Sequence, residues 1–125
     1  MEQDATTPEG RGALIAADRV EGTAVYNRTG DHLGAIKTVM IDKTSGKVAY
    51  AVMSFGGFLG IGEKYHPLPW SILTYHRGQA GYVVDLDKRQ LEEAPSYGVS
   101  DTPDYDDPVW GRKVHDYYRV PPYWM

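Results

Sequence analysis

Four glycines punctuate the stretch Ser54-Phe55-Gly56-Gly57-Phe58-Leu59-Gly60-Ile61-Gly62, directly after an apolar strand. A glycine-rich loop of this kind cradles phosphate when a lysine and a helix N-terminus follow it. Gly57 and Gly62 have the P-loop separation, yet Glu63 stands at the lysine position and Pro67 and Pro69 follow in place of a helix. Gly57, Gly60 and Gly62 invert the spacing of the dinucleotide fingerprint, and no βαβ unit follows. The loop therefore reads as a sharp turn at a barrel rim. Phe58, Leu59 and Ile61 are then offered to a neighbour or folded back as a plug.

Other chemistry-bearing residues are scattered. Ser54 ends a strand, but a nucleophile elbow needs glycine where Val52 stands, and a helix afterwards. His32, His66, His76 and His115 show no i, i+4 metal spacing. Asp101, Asp104, Asp106 and Asp107 lack the glycine and terminal glutamate of a calcium loop, and read as a solvated linker. Asp85, Asp87, Glu92 and Glu93 are spaced as surface charges rather than as a buried acid pair. No catalytic residue, metal site or cofactor is expected, and the chain is not expected to be an enzyme.

The elements that position these residues are short. From Val20 to Val84 the pattern is strand and turn. Strands are predicted over Thr23 to Tyr26, Leu33 to Ile41, Val48 to Phe55, Lys64 to Leu68, Thr74 to His76 and Tyr82 to Asp85. Turns fall at Asn27–Asp31 and Asp42–Lys47, and a helical turn at Pro69–Leu73. On the second strand, Leu33, Ala35, Val39 and Ile41 are expected on one face, Ile36 and Met40 on the other. Val48 to Phe55 is apolar on both faces, so one face fills a barrel and the other is covered by a helix, the tail or a second subunit. Asp87 to Ala94 is the one helix predicted, with Asp87 and Gln90 at capping-box spacing.

At 125 residues, one domain is the default. The divisions are a flexible lead over 1–13, a barrel over 14–95, and an acidic linker with a Tyr/Trp/Pro-rich arm over 96–125. A net charge of −4 weighs against nucleic acid as a partner. The absence of cysteine excludes disulfides and thiolate chemistry and fits a reducing cytoplasm, the expected location. No apolar run approaches the roughly 18 residues of a membrane span, and the polar start of the chain does not read as a secretory signal.

The arm is rich in aromatics, which a merely disordered tail would lack. Its Tyr and Trp residues are of the types enriched in interface hot spots. Proline among them suits extended packing. Three destinations stay open: the chain's own barrel, a second subunit, or an unrelated partner.

The ordered set Val25-Tyr26-Asn27, Gly30, Leu33-Gly34, Ile36, Asp42, Thr44, Gly46 and Val48-Ala49-Tyr50 continues into the long block from Ser54 to Gly62. Lys64, Leu68-Pro69-Trp70, Tyr82 and Asp85 complete it. With these residues the chain resembles a PRC-barrel domain, the small β-barrel of the cytoplasmic part of the photosynthetic reaction centre H subunit, related to a barrel in a ribosome-maturation factor. The resemblance implies a mainly β fold: a six-stranded barrel with one short helix, here followed by an extended aromatic C-terminal arm. It also implies a non-enzymatic module for protein–protein assembly. The expected self-association surface comprises Phe55, Phe58, Leu59, Ile61, Trp70, Trp110, Tyr117, Tyr118, Tyr123 and Trp124. A homo-oligomer, first of all a dimer, is expected, with room for a further protein partner and no membrane insertion. Two alternatives stand beside it: a small-molecule or stress sensor, and an RNA- or ribosome-associated factor, against which the acidity of the chain counts.

Overall fold

The computed structural model describes residues 14–55 and 62–124. Phe58, Leu59 and Ile61, with most of the glycine loop, lie outside them.

Six strands form one sheet: β1 Ala24–Asn27, β2 His32–Ile41, β3 Val48–Phe55, β4 Lys64–Pro69, β5 Thr74–His76 and β6 Gly81–Val84. Their order is β4-β3-β2-β1-β6-β5. Neighbours are antiparallel except β1 and β6, which are parallel. The edge strands β4 and β5 are joined in sequence by one 3-10 turn, Trp70–Ile72. A connection that short forces the sheet to curl until its edges approach, although no ladder closes them.

The hairpin turns fold as their residues dictate. Asn27 is buried, and its Oδ1 accepts from the Thr29 and Asp31 backbone N–H groups at 3.1 and 2.8 Å. Gly30 then takes φ 92°. Asp42 accepts from the Thr44 N–H at 2.9 Å, and Gly46 takes φ 77°. Gly34 has a different reason: a Cβ there would fall on the Ser54 carbonyl of the neighbouring strand.

The expected division of β2 into two faces is corrected. The register shifts against β1 at Val25/Tyr26 and against β3 between Ile36 and Thr38. Such bulges change which side chains share a face. Leu33, Ile36 and Val39 accordingly join one core with Val25, Met53, Leu68, Val84 and Leu91.

On β4 the backbone N–H and C=O of Tyr65 face away from β3 and pair with Tyr97. By strand alternation Pro67 and Pro69 share that outward set, so the edge has no further donor to offer.

Among the described residues three α-helices are present where one was expected. Ala17–Val20 (α1) is a single turn that buries Val20. Lys88–Glu93 (α2) carries the predicted capping box from Asp87 to Gln90 and buries Leu91. The arm, expected to be extended, contains α3 over Pro108–Tyr118. Asp107 caps it by accepting from the Val109 N–H at 3.0 Å, and Pro108 occupies the first turn, where its missing N–H costs nothing. Arg119 ends the helix in the left-handed region at φ 59°. Among the described residues no helix is long and apolar enough to cross a membrane.

Candidate functional site

The doubly apolar strand β3 explains where the arm goes. Ala51 and Met53 point into the sheet's main core, while Tyr50 belongs to a second cluster with Val114 of α3. The outer face of β3 is thus covered by the C-terminal helix of the same chain. Tyr50 is 1 % exposed and acts as a hub. The rings of Tyr105, Trp110, His115 and Tyr123 surround it at centroid distances of 5.6, 6.2, 5.3 and 5.7 Å. Steep ring angles of this kind set the positive edge of one ring against the negative face of another.

Gly111 makes the approach of α3 possible. A Cβ there would lie 3.0 Å from the Trp124 ring and 3.3 Å from the Tyr50 hydroxyl. One turn later the buried His115 Nδ1 donates to the Gly111 carbonyl at 2.7 Å, which fixes the ring. The aspartates before the helix serve local geometry. Asp104 accepts from the Asp106 N–H at 2.9 Å, and Asp107 caps α3.

Burial shifts the protonation of several polar groups around this cluster and in the main core. Burial pushes the Tyr50 and Tyr105 phenols up, with Tyr123 adding to the first and the Tyr97 hydrogen bond to the second. Burial likewise raises Tyr118. His66 is held down to about 4, by burial first and by Lys64 second. Its ring lies edge-on to Phe55 at 5.4 Å, and its Nδ1 has no hydrogen-bond partner among the described residues. Ser54 donates to the Ala35 carbonyl at 3.3 Å. Across the β3–β4 ladder Ser54 faces Tyr65 while His66 faces Met53, so serine and histidine lie on opposite sides of the sheet.

Of the residues expected on an association surface, Phe55, Trp70 and Tyr118 are half-buried against the main core. Trp70 packs on Tyr82 at 5.5 Å. Trp110 is half-buried between Tyr50 and Tyr105. Tyr117 is partly exposed, and its hydroxyl donates to the Gln90 carbonyl at 2.6 Å. Tyr123 and Trp124 remain 40 % and 41 % exposed, beside Ile41 at 51 %. The sequence did not single out Ile41 or Tyr105. Ile41 at the mouth of a hairpin turn and Tyr105 within an acidic linker carry no local signal of their joint position.

Around these residues runs a groove of about 480 Å³, bounded by the end of β2, the Asp42–Thr44 turn, Tyr105 and the C-terminal Tyr123 and Trp124.

A family profile described as the PRC-barrel domain matches residues 13–91. No curated protein shows significant similarity to the sequence. Among solved structures, a 16S ribosomal RNA processing protein, RimM, from Pseudomonas aeruginosa is similar at 18 % identity with a TM-score of 0.39. That match covers 59 % of this chain and 44 % of the other, so the chain spans less than half the length of that protein. With the profile matching more than half of its length, the chain belongs to the PRC-barrel domain family.

Proposed function

We propose that the protein is a non-catalytic PRC-barrel docking module that pairs with a second copy through the face formed by Ile41, Tyr123 and Trp124. The observation that carries this reading is the gathering of three exposed large apolar side chains around one groove, whereas Leu14, Tyr75, Val99, Val109 and Tyr117, also exposed, do not line it. Partly exposed Trp and Tyr on a rigid support are the usual anchors of an interface. Strand addition at the β4 edge is disfavoured by Pro67, Pro69 and the Tyr65–Tyr97 pair. The raised phenols, the neutral His66 and the isolation of Ser54 support a role without catalysis. A cysteine-free chain of net charge −4 is in keeping with a cytoplasmic module that does not bind RNA.

Light scattering and sedimentation at micromolar concentration test it. The expected species has twice the 14.0 kDa chain mass. Replacing Trp124 and Tyr123 by Ala is expected to weaken dimerisation at least about tenfold. A wild-type chain that stays monomeric throughout this range overturns the reading.

A further inference from the structure

The groove beside Tyr50 combines two features that recognise one kind of ligand. Its exposed aromatic corner is formed by Tyr123 and Trp124, whose rings meet at 90° with centroids 5.0 Å apart, above the buried Tyr50 and the half-buried Tyr105. Its rim carries the carboxylates of Asp42 and Asp106. Their field reaches the Tyr123 hydroxyl, which is raised by burial first and then by these two aspartates. Two N–H donors of the Thr44–Ser45 turn hold the Asp42 carboxyl below its ordinary value, so it is ionised at neutral pH. The one basic side chain on the rim is Lys43, and among the described residues it forms no ion pair with either carboxylate. At about 480 Å³ the groove falls within the roughly 300–1,000 Å³ typical of small-ligand sites.

Aromatic faces attract cations through the ring quadrupole, and several rings with nearby carboxylates select a large, weakly hydrated organic cation over a strongly hydrated metal ion. We propose that this groove binds a small quaternary ammonium solute, with Tyr123 and Trp124 as the aromatic corner and Asp42 and Asp106 as the counter-charges. The bulky cation needs no hydrogen bond. An anion would meet two carboxylates against one lysine and is disfavoured. This goes beyond self-association and does not depend on it. Because the cation would lie under the face assigned to the second copy, its binding and dimerisation are expected to oppose each other.

The full-length chain is titrated with choline while the indole N–H resonance of Trp124 is followed by NMR. The control is the neutral isostere of choline, with a tert-butyl group in place of trimethylammonium. Choline is expected to give a saturable shift, and the isostere to bind at least about tenfold more weakly. Tyr123→Ala is expected to abolish the response. The double change Asp42→Asn and Asp106→Asn, which keeps the turn acceptor at position 42, is expected to weaken it several-fold in low salt. Equal binding of choline and isostere, or no response of the monomeric chain to choline at tens of millimolar, overturns the proposal. A trimethyllysine peptide presents the same group on a protein chain. If it binds more tightly than choline, the assignment to a free solute is overturned. Light scattering on the same samples separates the two readings. A monomer that binds choline sinks only self-association, and a dimer whose dissociated subunits ignore choline sinks only the cation site.

Discussion

The hydroxyl of Tyr97 lies 2.6 Å from that of Tyr105. Tyr97 is also tied to Tyr65 on the edge of β4 by backbone bonds of 2.9 and 3.0 Å, and Tyr105 packs against Tyr50 on β3. This hydroxyl pair therefore clasps the segment between α2 and α3 onto the outer side of the sheet. Removing one hydroxyl leaves the other short of its partner, which costs about 1 kcal/mol at a partly buried site. Tyr97→Phe and Tyr105→Phe are each expected to lose about that much in urea unfolding. The double variant is expected to lose less than the sum, because the second change removes the orphaned group. Strict additivity would show that the two hydroxyls do not depend on each other.

His66 gives the fold a pH dependence of known sign. Its folded pKa is about 4 against 6.5 for the free side chain. The unfolded chain therefore takes up the proton first as pH falls. Stability from this site is complete above 6.5 and is lost progressively as pH drops toward 4, by about 3 kcal/mol across the window. His66→Leu is expected to flatten this part of the stability profile, measured by urea midpoints between those two values. A wild-type slope retained in the variant would assign the loss to other groups.

Gly111→Ala sets helix propensity against packing. Alanine favours the helix by about 1 kcal/mol. Its Cβ, however, would meet the Trp124 ring at 3.0 Å. Trp124 is partly exposed and Tyr50, whose hydroxyl would lie 3.3 Å from the same Cβ, is buried, so Trp124 is the group that yields. The expected outcome is a stability change below about 1 kcal/mol, a moved Trp124 indole resonance and weaker self-association. An unmoved indole would mean that α3 shifts instead.

The barrel was legible because its signals are local. The Asn27–Asp31 and Asp42–Lys47 turns, the capping box from Asp87 to Gln90 and the two apolar faces of Val48–Phe55 each depend on neighbours in sequence. The apolar outer face of β3 announced a cover without saying which one. Helix α3 was harder to read. Trp110, Val114 and Tyr118 have helical spacing, but Gly111 and the β-branched and aromatic residues are weak helix formers, and Pro121-Pro122 suggested extension. Asp107-Pro108 was its start signal, masked by the aspartates around it. The bulges in β2 had no signal at all, since they arise from pairing with β1 and β3. For the same reason the groove at Asp42, Tyr105 and Trp124 could not be seen: its residues come from four separated segments.

Pro67 and Pro69 on the rim of β4 have a consequence for how such a module can diversify. A sheet whose edge accepts another strand recognises backbone, and backbone is common to every sequence. Here the outward positions of that edge have nothing to donate, and Tyr97 already occupies Tyr65. On this edge the sheet presents side chains rather than backbone, and side chains can change while the ladders beneath them stay as they are.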